Sequence, residues 1–262
     1  MSILAVQYIR PMEDGWSLPH LFKCEDGQTY VVKFINNRSG SGILANELIA
    51  YRLGTWLGLP IAPYRIIQVT RDLIEMFPIL KSLDIPAGLH LGSLYFEQGT
   101  TSFEEIDLAS CKNLYHAAGM IVFDHWINNW DRHLAGSNLL YIPDQRKILM
   151  IDHSDAFFGP DWDKEECMDD VNTIEIFWGP LYEMFVPFID SPDPFGHYVS
   201  LIENVSEKAV IEAVKGIPRQ WKISREDVTA LIDFLLCRKK LVRNSLEELR
   251  EHFPTWTQED HG

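Results

Sequence analysis

The sequence predicts an α+β fold of two lobes: a small β-rich N-terminal lobe with one helix, and a larger, mainly helical C-terminal lobe. Three features of the chain support this. Apolar, β-rich segments dominate the first 80 residues, and one segment of helical period, residues 43–60, interrupts them. The pattern weakens over residues 81–107, and from Asp107 onward it is mostly helical. We therefore expect an N-terminal lobe of residues 1–80 and a C-terminal lobe of residues 81–262.

The composition of the chain limits the classes of protein to which it can belong. Of the 262 residues, 46% are hydrophobic, which is enough for two lobes with a sizeable core. The net charge of −15 disfavours a nucleic-acid partner, because an acidic surface repels phosphate backbones. The four cysteines include no CxxC pair, which argues against a zinc site or a disulfide framework. With no signal-peptide pattern and no run of roughly 18 apolar residues, we expect a soluble cytoplasmic protein without a membrane span.

Local patterns predict the elements of the N-terminal lobe. Residues 18–35 predict a hairpin that turns at Asp26-Gly27, since both residues tolerate positive φ. A polar Gly/Ser stretch then precedes the helix predicted over residues 43–60, and Gly58 ends that helix. The other strands predicted in this lobe cover residues 3–10, 63–69 and 72–80.

The C-terminal lobe is predicted to begin with one long helix over residues 108–130. A second hairpin follows over residues 138–152, and then a loop rich in Gly, Pro and acids over residues 153–172. The last helix starts at Ser224, where Asp227 gives a pattern similar to a capping box. Four helices are predicted after the loop, over residues 174–186, 195–204, 206–216 and 224–252.

Polar residues interrupt the apolar patterns at four places. Lys33 lies in the apolar strand YVVKFI, where a buried lysine needs a partner. Glu47 lies on the predicted helix, from which it could face Lys33. Asp131 and Asn138 lie in the loop before the second hairpin, and Asp152 directly follows its apolar second strand. A hairpin can bring its two ends together, and carboxylate and amide oxygens suit magnesium.

Each of these residues also has a purely structural interpretation. Lys33 could face outward from an edge strand, and Glu47 could be an exposed helix residue. Asp131 and Asn138 could be turn formers, and Asp152 could simply end a strand. Their order along the chain favours a functional interpretation. A lysine on a strand is followed by a glutamate on a helix, then by a loop with Asp before Asn, and then by an Asp at the end of a strand. Protein-kinase-like phosphotransferases have their functional residues in this order.

The chain resembles the HipA-like branch of the kinase superfamily, with kinship to the phosphatidylinositol 3/4-kinases. The resemblance is carried by VVKF, ANELIAYRLGTWLGLP, FDHWINNWDRHLAGSNLLY and MIDHSDAF, which run from about residue 15 to residue 158. It implies a bilobal protein-kinase-like fold and an ATP- and Mg²⁺-dependent enzyme that moves the γ-phosphate to a hydroxyl, a protein Ser or Thr being favoured. The implied partners are a nucleotide and an unidentified phosphoacceptor, either a protein or a small molecule.

The resemblance also implies a role for each residue. Lys33 would bind the α- and β-phosphates, and Glu47 would orient it. Asp131 would be the catalytic base, and Asn138 and Asp152 would hold magnesium. The remaining cofactor-binding positions are Gly15 and Ser17 over the phosphates, and Phe77, Ile79 and Leu80 in a hinge over residues 77–83 that would receive the adenine.

Three departures from the kinase pattern leave an alternative open. No G-x-G-x-x-G is present, the spacing from Asp131 to Asn138 is two residues longer than in H-R-D-x-x-x-x-N, and DHS stands in place of DFG. The alternative is a catalytically inactive nucleotide-binding or protein-interaction module on the same fold, and a related transfer, such as that of AMP, is a third interpretation. The presence of Lys33, Asp131, Asn138 and Asp152 together favours a kinase.

Overall fold

Five N-terminal strands form a closed barrel. They are β1 (Ser2–Pro11), β2 (His20–Cys24), β3 (Thr29–Lys33), β4 (Tyr64–Val69) and β5 (Gly88–Leu94). Their order around the barrel is β1-β2-β3-β5-β4, and all neighbours are antiparallel except β1 and β4, whose parallel pairing closes the barrel. The computed structural model describes residues 2–12, 17–102, 107–134, 138–157, 159 and 171–256.

The predicted turn between β2 and β3 is confirmed. Gly27 has φ of +77°, and its N–H donates to the carbonyl of Cys24 at 2.9 Å. Asp26 supports the turn, because its carboxylate accepts a hydrogen bond from the N–H of Gln28 at 3.0 Å. This tight connection sets the register of β3, and with it the direction of Lys33.

Helix α1 (Gly42–Trp56) joins β3 to β4 and is buried over most of its length. Its apolar side chains belong to the same buried cluster as Phe123 of the C-terminal lobe, so the helix links the two lobes. A Cβ at Gly54 would collide with Ile61, and glycine therefore permits this close approach. Gly58 follows the helix with φ of +73°, which confirms the predicted stop.

The strand predicted over residues 72–80 is wrong, because this segment forms two short helices, α2 (Arg71–Met76) and α3 (Pro78–Ser82). The hydroxyl of Thr70 caps α2 by accepting a hydrogen bond from the N–H of Leu73 at 3.2 Å. Pro78 then begins α3, as proline favours the first helical position. The N-terminal lobe therefore has two short helices in addition to α1.

The chain crosses between the lobes after β5. The N–H of Tyr95 still bonds to Thr29 of the barrel at 2.9 Å, whereas Thr100 pairs with Tyr141 of the C-terminal lobe. A division at residue 80 would separate β5 from its neighbours β3 and β4. The segment in which the hinge was expected, residues 77–83, includes α3 and lies between two strands of the same barrel.

The C-terminal lobe is built around α4 (Ala117–Ile127), every residue of which is buried. This helix is shorter than predicted, because residues 108–110 and 114–116 form 3-10 turns. The predicted hairpin is confirmed as β6 (Leu139–Ile142) and β7 (Lys147–Met150). In the described part of the lobe, the remaining α-helices are α5 (Pro180–Phe185), α6 (Gly196–Glu203), α7 (Glu207–Val214), α8 (Arg225–Arg238) and α9 (Val242–Leu246).

The start of α8 is as predicted and its end is not. Ser224 and Asp227 form a reciprocal capping box, but the helix stops at Arg238 and the predicted helix up to residue 252 is broken. Of the predicted acidic loop, residues 158 and 160–170 lie outside the described residues. Among the helices that are described, none combines the length and the apolar character needed to cross a membrane.

Candidate active site

The side chain of Lys33 lies between two carboxylates at the end of β3. Its Nζ is 2.5 Å from Oε1 of Glu47 and 2.8 Å from Oδ1 of Asp152. The barrel cluster is a group of buried residues from the barrel strands and from α2 and α3, including Phe22, Val32 and Leu80. Side chains alternate along a strand, so Val32 joins this cluster while Lys33 points the other way, to α1. The structure thus brings together three of the site residues that the sequence singled out, from β3, from α1 and from the chain after β7.

Glu47 holds the ammonium group from a fully buried position. Its Oε2 accepts hydrogen bonds from the hydroxyl of Tyr64 at 2.6 Å and from the backbone N–H of His153 at 3.2 Å. Burial opposes ionisation of Glu47, but Lys33 and the side chain of His153 outweigh it and hold the pKa of Glu47 well below its usual range. Burial likewise opposes the charge of Lys33, whose pKa is nevertheless raised by Asp152 and Glu47.

Asp152 follows β7 in an unusual backbone conformation. Its φ is +50°, a region that costs a residue with a Cβ on the order of 1 kcal/mol. Its Oδ1 accepts hydrogen bonds from the hydroxyl and the N–H of Ser154, at 2.7 and 3.2 Å, in addition to the contact with Lys33. The side chain is 35% exposed, so solvent or a ligand can reach it.

Asp131 and Asn138 form a second polar pair, with Nδ2 of Asn138 donating to Oδ2 of Asp131 at 2.7 Å. Burial raises the pKa of Asp131 to about 7, and the charges of Asp155 and Asp152 act in the same direction. The other oxygen, Oδ1, is shielded from water and accepts no hydrogen bond from the described residues. A carboxyl group that ionises near neutral pH is suited to general-base catalysis.

A cavity of about 250 Å³ opens at Lys33 and Asp152. Ser17, which the sequence singled out, lines it together with Ser39 of the polar Gly/Ser stretch before α1 and with Asp155, which the sequence did not single out. The signal for Asp155 was present in the chain as a second acid three residues after Asp152. The expected phosphate-binding residue Gly15 lies outside the described residues.

The three residues expected to contact adenine lie elsewhere. Leu80 is fully buried in the barrel cluster, and the ring of Phe77 packs against Tyr8 with centroids 5.2 Å apart. Ile79 is 42% exposed on α3. None of the three lines the cavity at Lys33. Residues 71–82 turn back into helices and pack against the barrel, which keeps these three residues away from the cavity.

The donor atoms near the cavity suit a hard divalent cation. Asp152 and Asp155 line the cavity and offer carboxylate oxygens, and Asn138, at the same end of the β6–β7 hairpin as Asp152, offers an amide oxygen. Magnesium and manganese prefer such ligands. Within the described part of the chain, no three His, Cys, Asp or Glu side chains come together as a metal site. This arrangement fits a cation that is held by one or two protein groups together with the phosphates of a nucleotide.

Comparison with known proteins identifies a family and a fold for the chain. A family model described as HipA-like kinase matches residues 5–253. The Helicobacter pylori proinflammatory kinase CtkA is similar in structure, with 12% identity and a TM-score of 0.56 over 91% of this chain and 92% of that one. The Golgi casein kinase with Mn/ADP bound also matches, with 12% identity and a TM-score of 0.46 over 99% of this chain and 77% of that one.

A further match is the HipA of Shewanella oneidensis MR-1 in a complex with HipB and operator DNA. It has 13% identity and a TM-score of 0.44 over 85% of this chain and 60% of that one. No curated protein matches the sequence. The likeness to CtkA confirms the predicted fold, a kinase-like arrangement of a β-rich N-terminal lobe and a helical C-terminal lobe. Because the family model spans nearly the whole chain, this protein belongs to the HipA-like kinase family.

Proposed function

We propose that this protein is an ATP-dependent phosphotransferase that moves the γ-phosphate of ATP to a hydroxyl group. The observation that carries the proposal is the position of Lys33 between Glu47 and Asp152, next to a cavity. A lysine with only a structural role needs one carboxylate to compensate its charge. Since Lys33 has two, it can keep Glu47 while a phosphate takes the place of Asp152.

Lys33 and the loop before β2 would bind the phosphates. Glu47 keeps the ammonium group in place, and the lowered pKa of Glu47 maintains the ion pair across the working pH range. Ser17, with Gly15 outside the described residues, would offer backbone N–H groups to phosphate oxygens. We place the adenine at the crossing segment, residues 95–100, because this segment joins the two lobes.

Asp152 and Asn138 would hold a divalent cation, for which we propose Mg²⁺. A cation in this position neutralises charge on the phosphates during transfer. Asp152 keeps one oxygen for it, because Oδ1 is shared by Lys33 and Ser154 while Oδ2 accepts no hydrogen bond from the described residues. Asn138 contributes an amide carbonyl oxygen of the kind that magnesium accepts.

Asp131 would act on the acceptor hydroxyl. As the hydroxyl oxygen forms a bond to the γ-phosphorus, the bond from that phosphorus to the bridging oxygen of ADP breaks and ADP leaves. The proton of the hydroxyl passes to Oδ1 of Asp131, the oxygen without a hydrogen-bond donor among the described residues. A pKa of about 7 allows Asp131 to be ionised before the reaction and protonated after it.

We propose a Ser or Thr side chain of a protein as the acceptor. The net charge of −15 disfavours acceptors that are themselves rich in phosphate, such as nucleic acids and anionic membranes. A polypeptide hydroxyl carries no such charge. We place the reaction in the cytoplasm, where thiols stay reduced, since the described cysteines Cys24, Cys111 and Cys237 are free.

The alternative is a catalytically inactive module that binds a nucleotide or a protein partner. It is favoured by the side-chain bonds of the two metal-ligand candidates, since Asn138 bonds to Asp131 and Asp152 bonds to Lys33. The alternative and the enzyme differ in turnover, while both permit nucleotide binding.

Turnover of ATP by substituted proteins tests the proposal. Asp131→Ala and Asp152→Ala should each abolish ATP turnover while the protein stays folded by circular dichroism. Asp233→Ala, a change of the same kind on the exposed face of α8, should retain wild-type turnover. Normal turnover by both active-site variants would contradict the assignment of the site.

A thermal-shift titration, read together with the turnover assay, separates the enzyme from the alternative. ATP with Mg²⁺ should raise the melting temperature of the wild-type protein, because a ligand that binds only the native state stabilises it. A shift without turnover would favour the inactive nucleotide-binding module. No shift at millimolar ATP, with or without metal, would favour a protein-interaction role.

A further inference from the structure

The guanidinium group of Arg132 is buried between the chain segments that carry Asn138 and Asp152. Its Nη1 donates to the backbone carbonyls of Asn138 and of Ile151, the latter at 2.9 Å. Its Nη2 reaches the carbonyl of Asp152 at 3.4 Å. One side chain therefore binds the backbone at both residues proposed as metal ligands.

Asp124 on α4 compensates the charge of this buried arginine. Its Oδ2 lies 2.8 Å from Nε of Arg132, and neither side chain is exposed. The hydroxyl of Tyr182 and Nδ2 of Asn129 also donate to Asp124, each at 3.0 Å. Burial by itself opposes the charge of Arg132, but Asp124 raises its pKa, so the guanidinium group keeps its fixed, planar set of donors.

The backbone that Arg132 binds is the part of the hairpin that needs support. The N–H of Ile151 bonds to the carbonyl of Asn138 at 3.1 Å, and this is the last bond before the strands separate. Immediately after it, Asp152 adopts φ of +50°. Such a conformation persists only where the surroundings fix it, and Arg132 binds a carbonyl on each side of the separation.

We propose that Arg132 is a positioning residue that sets the distance between the two metal ligands, and so the coupling between the metal and the nucleotide. This inference rests on the proposed function. Arg132 touches no reacting group and acts through the backbone of Asn138 and Asp152. Groups that orient metal ligands typically change metal affinity by about 10- to 100-fold when they are substituted.

Arg238 on α8 offers a matched control. It is 3% exposed, and like Arg132 it donates to three backbone carbonyls. Its Nε bonds to Trp126 at 2.9 Å, and its Nη1 and Nη2 bond to Thr173 at 3.1 Å and to His125 at 2.5 Å. Substitution of Arg238 therefore removes a buried guanidinium group and three bonds to backbone carbonyls, none of which belongs to a proposed metal ligand.

Calorimetric titration of ADP, with and without Mn²⁺, tests the inference on the wild-type protein, Arg132→Lys and Arg238→Lys. Lysine keeps the charge but lacks the rigid fork that spans several acceptors. In Arg132→Lys, the increase in ADP affinity that Mn²⁺ causes should fall by about tenfold or more. The ADP affinity without metal should stay at its wild-type value, and Arg238→Lys should keep the full effect of Mn²⁺.

An effect of Mn²⁺ that is unchanged in Arg132→Lys, or reduced equally in both variants, would overturn the inference. Wild-type protein that binds ADP no more tightly with Mn²⁺ would overturn the proposed function, before any variant is compared. A milder variant, Tyr182→Phe, removes only a hydroxyl that bonds to Asp124 and serves if Arg132→Lys does not fold. It should reduce the effect of Mn²⁺ less strongly, and a full wild-type effect in it would also overturn the inference.

Discussion

Replacement of Asp131 by asparagine is expected to stabilise the protein at neutral and higher pH. Burial raises the pKa of Asp131 from its ordinary value of 3.8 to about 7. At about 1.4 kcal/mol per pH unit, this interval corresponds to about 4 kcal/mol of unfolding free energy once the carboxyl group is fully ionised. Asparagine has nearly the same shape and can still accept the hydrogen bond from Asn138, but it carries no charge.

The direction of this pH effect on stability follows from proton binding. The folded protein binds the proton of Asp131 more tightly than the unfolded chain, because the pKa is higher in the folded state. The contribution of this group to stability is therefore complete below pH 3.8 and is lost as the pH rises toward about 7. Between about pH 5 and about pH 8, the wild-type protein should lose about 2 to 3 kcal/mol relative to Asp131→Asn.

Urea unfolding of both proteins at these two pH values measures the difference. Other titrating groups, such as the buried His153, are present in both proteins and cancel in the comparison. Asp233→Asn changes an exposed acid on α8 and should follow the wild-type protein. Equal pH dependence of the wild-type protein and Asp131→Asn would refute the reasoning, since Asp131 would then ionise at its ordinary pKa.

Three further predictions concern the two lobes. Lys33→Met should lower kcat/KM for ATP by about 100-fold or more, because the phosphates lose a charged partner. A change below tenfold in steady-state assays would contradict the proposed binding of the phosphates by Lys33. The rate of phosphate transfer should fall as the pH drops below about 7, since protonated Asp131 cannot accept a proton. A flat pH–rate profile would argue against Asp131 as the base. Leu80→Ala should destabilise the barrel by about 2 to 5 kcal/mol in urea unfolding and leave ATP affinity by calorimetry unchanged. A loss of ATP affinity would contradict the placement of the adenine away from Leu80.

The sequence was sufficient to predict which polar residues meet, because secondary structure constrains them. Lys33 alternates with Val32 along β3, so it must leave the barrel on the side where α1 lies. Asn138 and Asp152 lie at the same end of one hairpin because they flank its two strands. In each case a short stretch with a clear period fixes the direction of a side chain before the tertiary structure is known.

The parts that the sequence did not predict depend on tertiary packing. Residues 72–80 have the apolar content of a strand, and the cap from Thr70 together with Pro78 makes them helical. The position of the crossing segment then follows from the barrel, which needs β5 before the chain can leave. The bonds of Arg132 to Asp124 and to the backbone of Asp152 produce no periodic pattern in the sequence. They depend on a long side chain that connects separate segments of the chain.

Transfer of label from ATP is the most direct test of the central claim, that this chain moves the γ-phosphate of ATP to a hydroxyl group. The protein is incubated with Mg²⁺, a peptide library that contains Ser and Thr, and ATP labelled at either the γ- or the α-phosphate. Label from the γ-phosphate should appear on Ser or Thr, in the peptides or in the chain itself, and Asp131→Ala should abolish it. Transfer of the α-label would show AMP transfer instead, and no transfer of either label would contradict the account.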